Sequence, residues 1–265
     1  MFDATAAPRT TRMFGITLHP VTMQEAVRHI LGWAAEPFTQ TRYVVTPNVD
    51  HCVLFQRDET LRRAYAEASL VLADGLPVVL AGKLLGRRIP QRVAGSDVTP
   101  AIFTAAANHH RFETRPLRVF LLGAAPGVAG RAAKIIHARW KNVEVVGTLS
   151  PPLGFETLDT ENTKIIHRVN EATPDVLVIG LGAPKQELWI HAHYRTLTAK
   201  VALCVGATID FIAGHKRRAP AWMQHFGLEW LHRLSGDPGR LAKRYAQDAA
   251  VFPQLVWKEA RGKFD

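Results

Sequence analysis

The sequence predicts an α/β protein: a Rossmann-like, mostly parallel sheet with helices on both faces, followed by a small helical C-terminal appendage. Three observations predict this. Near-continuous Val/Leu/Ile runs such as "LRVFLLG" and "DVLVIGLG" read as strands buried on both faces. Stretches with helical spacing fall between them, the pattern of a sheet covered on both sides. After about residue 214 the strand-like runs stop and only helical spacing remains.

In order, residues 1–14 read as a short disordered leader, 15–214 as the α/β core and 215–265 as a basic, aromatic-rich helical appendage. The first helix is announced by a capping box, Thr22 three residues before Glu25, with Met23, Ala26, Ile30 and Trp33 at helical spacing behind it. "RYVVTPNVDH" is a strand running into a loop, and 51–67 fits a helix. Leu70 to Ala73 is a short buried strand that stops at Asp74-Gly75, before a Gly- and Arg-rich stretch. From "LRVFLLG" onward strands and helices alternate, with Pro184 opening the helix that precedes the last strand, "KVALCVGAT". In the appendage, Trp222, Met223, Phe226, Trp230, Leu231 and Leu234 line one face of a helix. Pro238 starts another helix, which Pro253 interrupts or ends.

The chain has 265 residues, 47% hydrophobic and 21% charged, which excludes wholesale disorder. No apolar run approaches the ~20 residues that cross a bilayer, and the N-terminus lacks a signal-peptide core. Cys52 and Cys204 stand without CxxC spacing and read as buried free thiols, so the cytoplasm is the expected compartment. The formal charge is +10, and half of that excess falls from His215 onward, with ten basic residues against five acidic ones. Such a surface suits nucleic acid, anionic lipid or a phosphorylated ligand. Helix-turn-helix, RNP and zinc-finger signatures are absent. The cations interleave with Trp and Phe, which suits the interface of an anionic membrane. A docked helix pair with solvated charges is the plainer alternative.

Ligands of open parallel sheets bind beyond the carboxyl ends of the strands. The polar residues there are Thr46 and Asn48, Asp74, the Gly123–Gly130 turn, the segment from Gly182 to Gln186, and Thr208 to Asp210. "FLLGAAPGVAG" holds Gly123 and Gly127 in G-x3-G-x2-G spacing, which is not the dinucleotide fingerprint; taken alone it fits a phosphate cradle or a plain tight turn. Asn48 fits a sugar or phosphate contact or a helix cap, and the capping reading is favoured for Asp50. Gln186 is either a first-turn capping residue or a side chain aimed into the site, and Asp210 alone is weak evidence. The His191/His193 and His109/His110 pairs lack metal-ligand spacing, so no metal is expected.

These stretches together resemble the WecG/TagA/CpsF glycosyltransferases (glycosyltransferase family 26). The matching segments include "TPNVDH", "ADGLPVV", "RVAGSD", "FLLGAAPGVA", "PDVLVIGLGAPKQELWI", "ATIDFIAGHKRRAPAWM" and "GLEWLHRLSGDPGRLAKRY", in the family's order over roughly residues 43–245. The resemblance implies an inverting, metal-independent transferase that needs no cofactor. It would move a sugar from a UDP-sugar to a polyprenyl-pyrophosphate-linked sugar at the inner face of the cytoplasmic membrane, in exopolysaccharide, capsule or related glycan assembly. Inversion by direct displacement needs a base for the acceptor hydroxyl, and Asp74, at a strand mouth beside Gly75, is the choice, with a carboxylate that caps the next turn as the plainer reading. The likeness points to Arg92 as an active-site cation, with a structural salt bridge as the plainer reading. It points to Thr46, Asn48, Gly123, Gly127, Gln186 and Asp210 as substrate contacts. Arg233, Arg240 and Arg244 match the family's appendage arginines, expected at the acceptor pyrophosphate or the membrane. Donor sugar, acceptor sugar and oligomeric state stay open. The competing class is a nucleic-acid-binding α/β protein that uses the basic tail; with the family likeness, no nucleic-acid partner is expected.

Overall fold

The protein is described here by a computed structural model covering residues 9–264. A short antiparallel hairpin, β1 (Thr11–Met13) and β2 (Ile16–Leu18), precedes the main sheet. That sheet comprises β3 (Arg42–Val45), β4 (Leu70–Val71), β5 (Leu117–Gly123), β6 (Val143–Leu149), β7 (Val176–Gly180) and β8 (Val201–Cys204). All its pairings are parallel, in the order β4-β3-β8-β7-β5-β6. The helices of the core are α1 (Met23–Ala35), α2 (Val49–Phe55), α3 (Glu59–Ala66), α4 (Leu76–Leu84), α5 (Gly95–Ala106), α6 (His110–Glu113), α7 (Val128–Arg139), α8 (Asp159–Ala172), α9 (Lys185–His193) and α10 (Thr208–Ile212). The C-terminal region adds α11 (Ala221–His225), α12 (Glu229–Gly236) and α13 (Pro238–Ala260).

Alternate strand residues serve opposite faces. Tyr43, Val45, Leu122, Ile179 and Cys204 pack with Cys52, Leu61, Trp189 and Leu255, beneath α2, α3, α9 and α13. Val44, Leu121, Val178 and Leu203 pack with Ile30, Ile102, Ala132 and Ile209, beneath α1, α5, α7 and α10. The result is the three-layer α/β architecture that the sequence predicts. The chain between β4 and β5 crosses the sheet, β6 forms the far edge, and β7 and β8 then fill the gap between β5 and β3, so the carboxyl ends of β3, β8 and β7 stand side by side in the middle.

Several local expectations are corrected. The leader was expected to reach residue 14, yet Thr11–Met13 is a strand and Met13 and Phe14 are fully buried. Phe14 donates its N–H to Glu259 Oε2 at 2.7 Å and meets Phe252 and Phe264 edge-on. Residues 1–8 lie outside the described part. The single helix expected over 51–67 is two, α2 and α3, because Asp58 accepts from Leu61 N and starts a new helix. Pro253 lies inside α13, which continues through it. The one appendage helix expected from Trp222 to Leu234 divides at Gly227, whose φ of +72° brings the turn against Leu76.

Gly123 and Gly127 separate a packing role from an open turn. A Cβ on Gly123 would stand 2.4 Å from Gly180 O at a φ of +119°, whereas Gly127 at φ +81° has open space around it. Gly123→Ala is therefore expected to cost about 3 kcal/mol or more through displaced strands, and Gly127→Ala about 1–2 kcal/mol for the left-handed backbone. Urea unfolding of both variants checks this, and equal costs would contradict it.

Candidate active site

The sheet order sets the site. At the β4 end, Leu72 N donates to Val45 O and Asp74 N to Pro47 O at 2.8 Å, so the backbone stays tied to β3 until the carboxylate emerges. Gly75, at φ +97°, then turns the chain into α4. Asp74 is half-buried, and among the described residues its carboxylate has no hydrogen bond and no ion pair. Burial pushes its pKa up to about 6; the nearby Glu229 adds to the rise, and Arg92, Arg233 and His51 oppose it. A carboxylate held away from water with cations around it, yet bonded to none, is poised to take up a proton.

Beside it, at the β3 end, Thr46 is buried and donates to Cys204 O at 3.2 Å. Asn48 is the N-cap of α2, accepting from His51 N in a capping box whose other half is the His51 side chain. His51 continues inward. Its Nε2 lies 3.3 Å from Glu187 Oε1, which also accepts from Gln186 Nε2 at 2.8 Å. Gln186 Oε1 in turn accepts from Gly206 N at 3.1 Å. One hydrogen-bonded chain thus runs from Asn48 through His51, Glu187 and Gln186 to Gly206, joining the ends of β3, β7 and β8. Burial works to lower the His51 pKa, but the hydrogen bond and charge of Glu187, with Asp50, carry it above the ordinary histidine value.

Both ends of the Gln186 amide are engaged inside this chain, so the side chain braces the floor of the site. His51 and Glu187 were missed as site residues; His51 was read only as part of a helix. The signal lay in the pattern "TPNVDH", whose third helical position carries a side chain able to return to the cap. Glu187→Ala would strand the His51 and Gln186 donors in the core. The expected cost is about 3 kcal/mol, seen as a lower midpoint in urea unfolding; unchanged stability would refute the bracing role.

The arginines divide into two kinds. Arg92 bonds Glu229 at 2.8 Å and Asp97 at 3.0 Å. Arg218 completes the cluster, meeting Asp97 at 2.5 Å and Glu229 at 3.3 Å. Arg92 is thus near Asp74 and also clamps α12 to the start of α5. Arg244, expected at an acceptor pyrophosphate or a membrane, makes a two-pronged ion pair with the buried Asp50 of α2, which anchors α13 to the core. Asp50 itself was favoured as a helix cap, but that role belongs to Asn48. Arg233 differs from both. It is exposed, lies over the Phe211 ring at 5.9 Å and, among the described residues, has no carboxylate partner. The side chain of Arg240 lies outside the described residues.

Asp210 is buried in α10, its carboxylate 3.5 Å from Lys216 Nζ and its carbonyl accepting from His215 N. The Gly123–Gly127 turn precedes α7 at the β5 end, with Ser150 Oγ 3.3 Å from both Gly123 O and Ala125 O. Among the described residues no group of three or more His, Cys, Asp or Glu side chains converges where a metal ion could be held.

Comparison with known proteins assigns the chain to a family. The model of the glycosyl transferase WecG/TagA/CpsF family matches residues 11–264. Relatives include the N-acetylglucosaminyldiphosphoundecaprenol N-acetyl-beta-D-mannosaminyltransferases of Staphylococcus aureus strains MRSA252 and MW2. Each is 28% identical over 255 residues, covering 95% of this chain and 92% of the relative. The matched range runs from the β1 hairpin through the end of α13. The chain belongs to the WecG/TagA/CpsF family of glycosyltransferases.

Proposed function

We propose that this protein transfers a sugar, with inversion and without a metal, from a UDP-sugar to a polyprenyl-pyrophosphate-linked sugar in surface-glycan assembly. We further propose that it works as a peripheral protein at the inner face of the cytoplasmic membrane. The observation that carries the reading is the half-buried Asp74, unpaired among the described residues and with a pKa near 6, at the mouth of the central sheet. The acceptor class follows from the names of the Staphylococcus aureus relatives, which act on an undecaprenyl-diphosphate-linked sugar.

In this reading Asp74 accepts the proton of the acceptor hydroxyl as that oxygen bonds to the anomeric carbon. The bond from that carbon to the UDP oxygen breaks on the opposite face, and UDP leaves with both electrons of that bond. Arg233, the cation near Asp74 without a carboxylate partner among the described residues, meets the developing negative charge, helped by N–H groups at the start of α7. Thr46 and Asn48 line the donor sugar, while Gln186 acts beneath them as a brace. Arg92 supports Asp74 and holds α12, and with it Arg233, over the site. Exposed Trp222, Phe226, Trp230 and Trp257 with the basic residues around them suit an anionic membrane surface. Among the described residues no helix is long and apolar enough to cross a membrane.

The test is UDP release from a panel of UDP-sugars with a short-chain polyprenyl-diphosphate-sugar acceptor and EDTA present. Acceptor-dependent release with one donor supports the reading and names the sugar. Release with none, under conditions where the chain is folded, refutes it.

A further inference from the structure

Helix α4 leaves the site directly from Gly75, and its composition is unusual for a surface helix: Lys83 is its single charged residue. Val78, Ala81 and Gly82 face the core, while Leu80 and Leu84, four residues apart on the opposite side, are 54% and 79% exposed. Nothing among the described residues covers these two leucines.

Both ends of α4 adjoin the C-terminal region. At the first turn, Leu76 sits against Gly227, next to the exposed Phe226. At the last, Leu84 and Leu85 line a cavity of about 280 Å³ with Arg87, Glu259 and Ala260. Two residues before Glu259 stands the exposed Trp257, with Arg261 at 3.7 Å and Lys263 at 5.8 Å over its ring. One end of the helix thus adjoins the segment carrying the exposed Phe226 and the other the segment carrying the exposed Trp257, and Lys83 and Arg88 beside the leucines in sequence and Arg261 and Lys263 at Trp257 are exposed as well. The acidic groups of this region are already used: Glu259 is buried against Phe14 N and Arg87, and Glu229 is paired with Arg92 and Arg218. What remains outward is apolar and cationic.

We propose that the outer face of α4, centred on Leu80 and Leu84, is a membrane-contacting element that inserts at the surface of an anionic bilayer together with the aromatic side chains at its two ends. The proposal deepens the reading above, because it rests on a lipid-linked acceptor that brings the enzyme to a bilayer. It assigns the core helix that begins one residue after Gly75, and not the C-terminal region alone, to the contact. Exposed leucines on a helix whose two ends adjoin segments with exposed aromatic and basic side chains fit the depth profile of an interface, where apolar side chains pass below the headgroups and cations stay among them. Charge favours a bilayer over a second copy of the chain, since two such faces would bring like-charged rims together. The placement also serves the chemistry: the base Asp74 lies at the end of α4 that meets Phe226, close to where a membrane-anchored pyrophosphate sugar would stand.

The test is co-sedimentation of the full chain with vesicles of phosphatidylcholine containing phosphatidylglycerol, and with phosphatidylcholine alone. Leu80→Ser/Leu84→Ser is compared with the parent and with Leu153→Ser, which alters a leucine that is 99% exposed elsewhere. The parent is expected to bind the anionic vesicles. The double variant should bind them at least roughly tenfold more weakly, as the loss of two inserted leucines requires, while Leu153→Ser binds like the parent. Thermal unfolding should be unchanged, because neither leucine is buried. Equal vesicle binding by parent and double variant overturns the proposal. So does a parent that ignores vesicles but sediments as a dimer that the double variant dissolves, which would make the face a self-association surface. UDP release with the short-chain polyprenyl-diphosphate-sugar acceptor, without vesicles, should be the same in both chains. Loss of that activity in the parent would refute the transferase reading without touching the vesicle result.

Discussion

Asp74→Asn is expected to lower acceptor-dependent kcat/KM by about 10²- to 10⁴-fold, the range in which a positioned general base contributes. Asparagine keeps the shape of the side chain, so Gly75, α4 and the backbone bond from Asp74 N to Pro47 O should persist. Only the capacity to accept a proton is lost. In the parent, kcat/KM should rise with pH up to about 6, where the Asp74 carboxyl ionises, and then level off. The variant should lose that rise. Stability should move in the opposite direction. A carboxyl whose folded pKa is raised from 3.8 to about 6 favours folding at low pH, and that advantage disappears as pH rises through the window. The parent therefore carries a penalty at neutral pH that asparagine does not, and Asp74→Asn should melt higher there, with the difference vanishing below 3.8. Activity down and melting temperature up is the signature of a group kept for chemistry at the expense of the fold. A variant with parental activity, or one that melts lower, would remove Asp74 from the mechanism.

How legible this was depends on how far apart the interacting residues lie. The strands of the main sheet are apolar runs that announce themselves, and Asp74 stands out because a charge at the end of such a run demands an explanation. Local spacing could not settle Asn48, whose cap and ligand readings are identical in sequence; the structure makes it the cap of α2. Gln186 was placed at the mouth of its helix, but its brace to Gly206 spans 20 residues and depends on β7 and β8 being neighbours. The Arg92 bond to Glu229 spans 137 residues, and the bond between Phe14 and Glu259, which turns an expected leader into buried core, spans 245. Neither has a periodicity to read. A guanidinium looks the same in sequence whether it awaits a phosphate or is already paired with a carboxylate, which is why Arg233 and Arg244 were grouped together and differ in the fold.

Arg244→Met tests that difference. Methionine keeps much of the apolar stem, so packing of α13 on α2 is largely retained while the charge is lost. Asp50 would then be left buried without its cation beside Asp248, another buried carboxylate. Burial and the Asp50 charge already push the Asp248 pKa up to about 6 against the opposing Arg244. Removing one partner of a buried pair typically costs 3–5 kcal/mol, and the partial exposure of the Arg244 side chain reduces this to about 2–3 kcal/mol here. The loss should appear as a lower urea midpoint and as faster amide exchange along α13. It should also shrink as pH falls below about 6, because protonating Asp248 relieves the repulsion that Arg244 had been offsetting. Asp50→Asn in the same chain should restore part of the stability by removing the stranded charge, which a defect of packing would not allow. Were Arg244 instead held for an acceptor pyrophosphate, Arg244→Met would raise the acceptor KM with the urea midpoint unchanged, and Asp50→Asn would rescue nothing. The ion pair with Asp50 leads us to expect the first outcome: Arg244 fixes α13 to the core, and α13 packs against α12, the helix that carries Arg233 near Asp74.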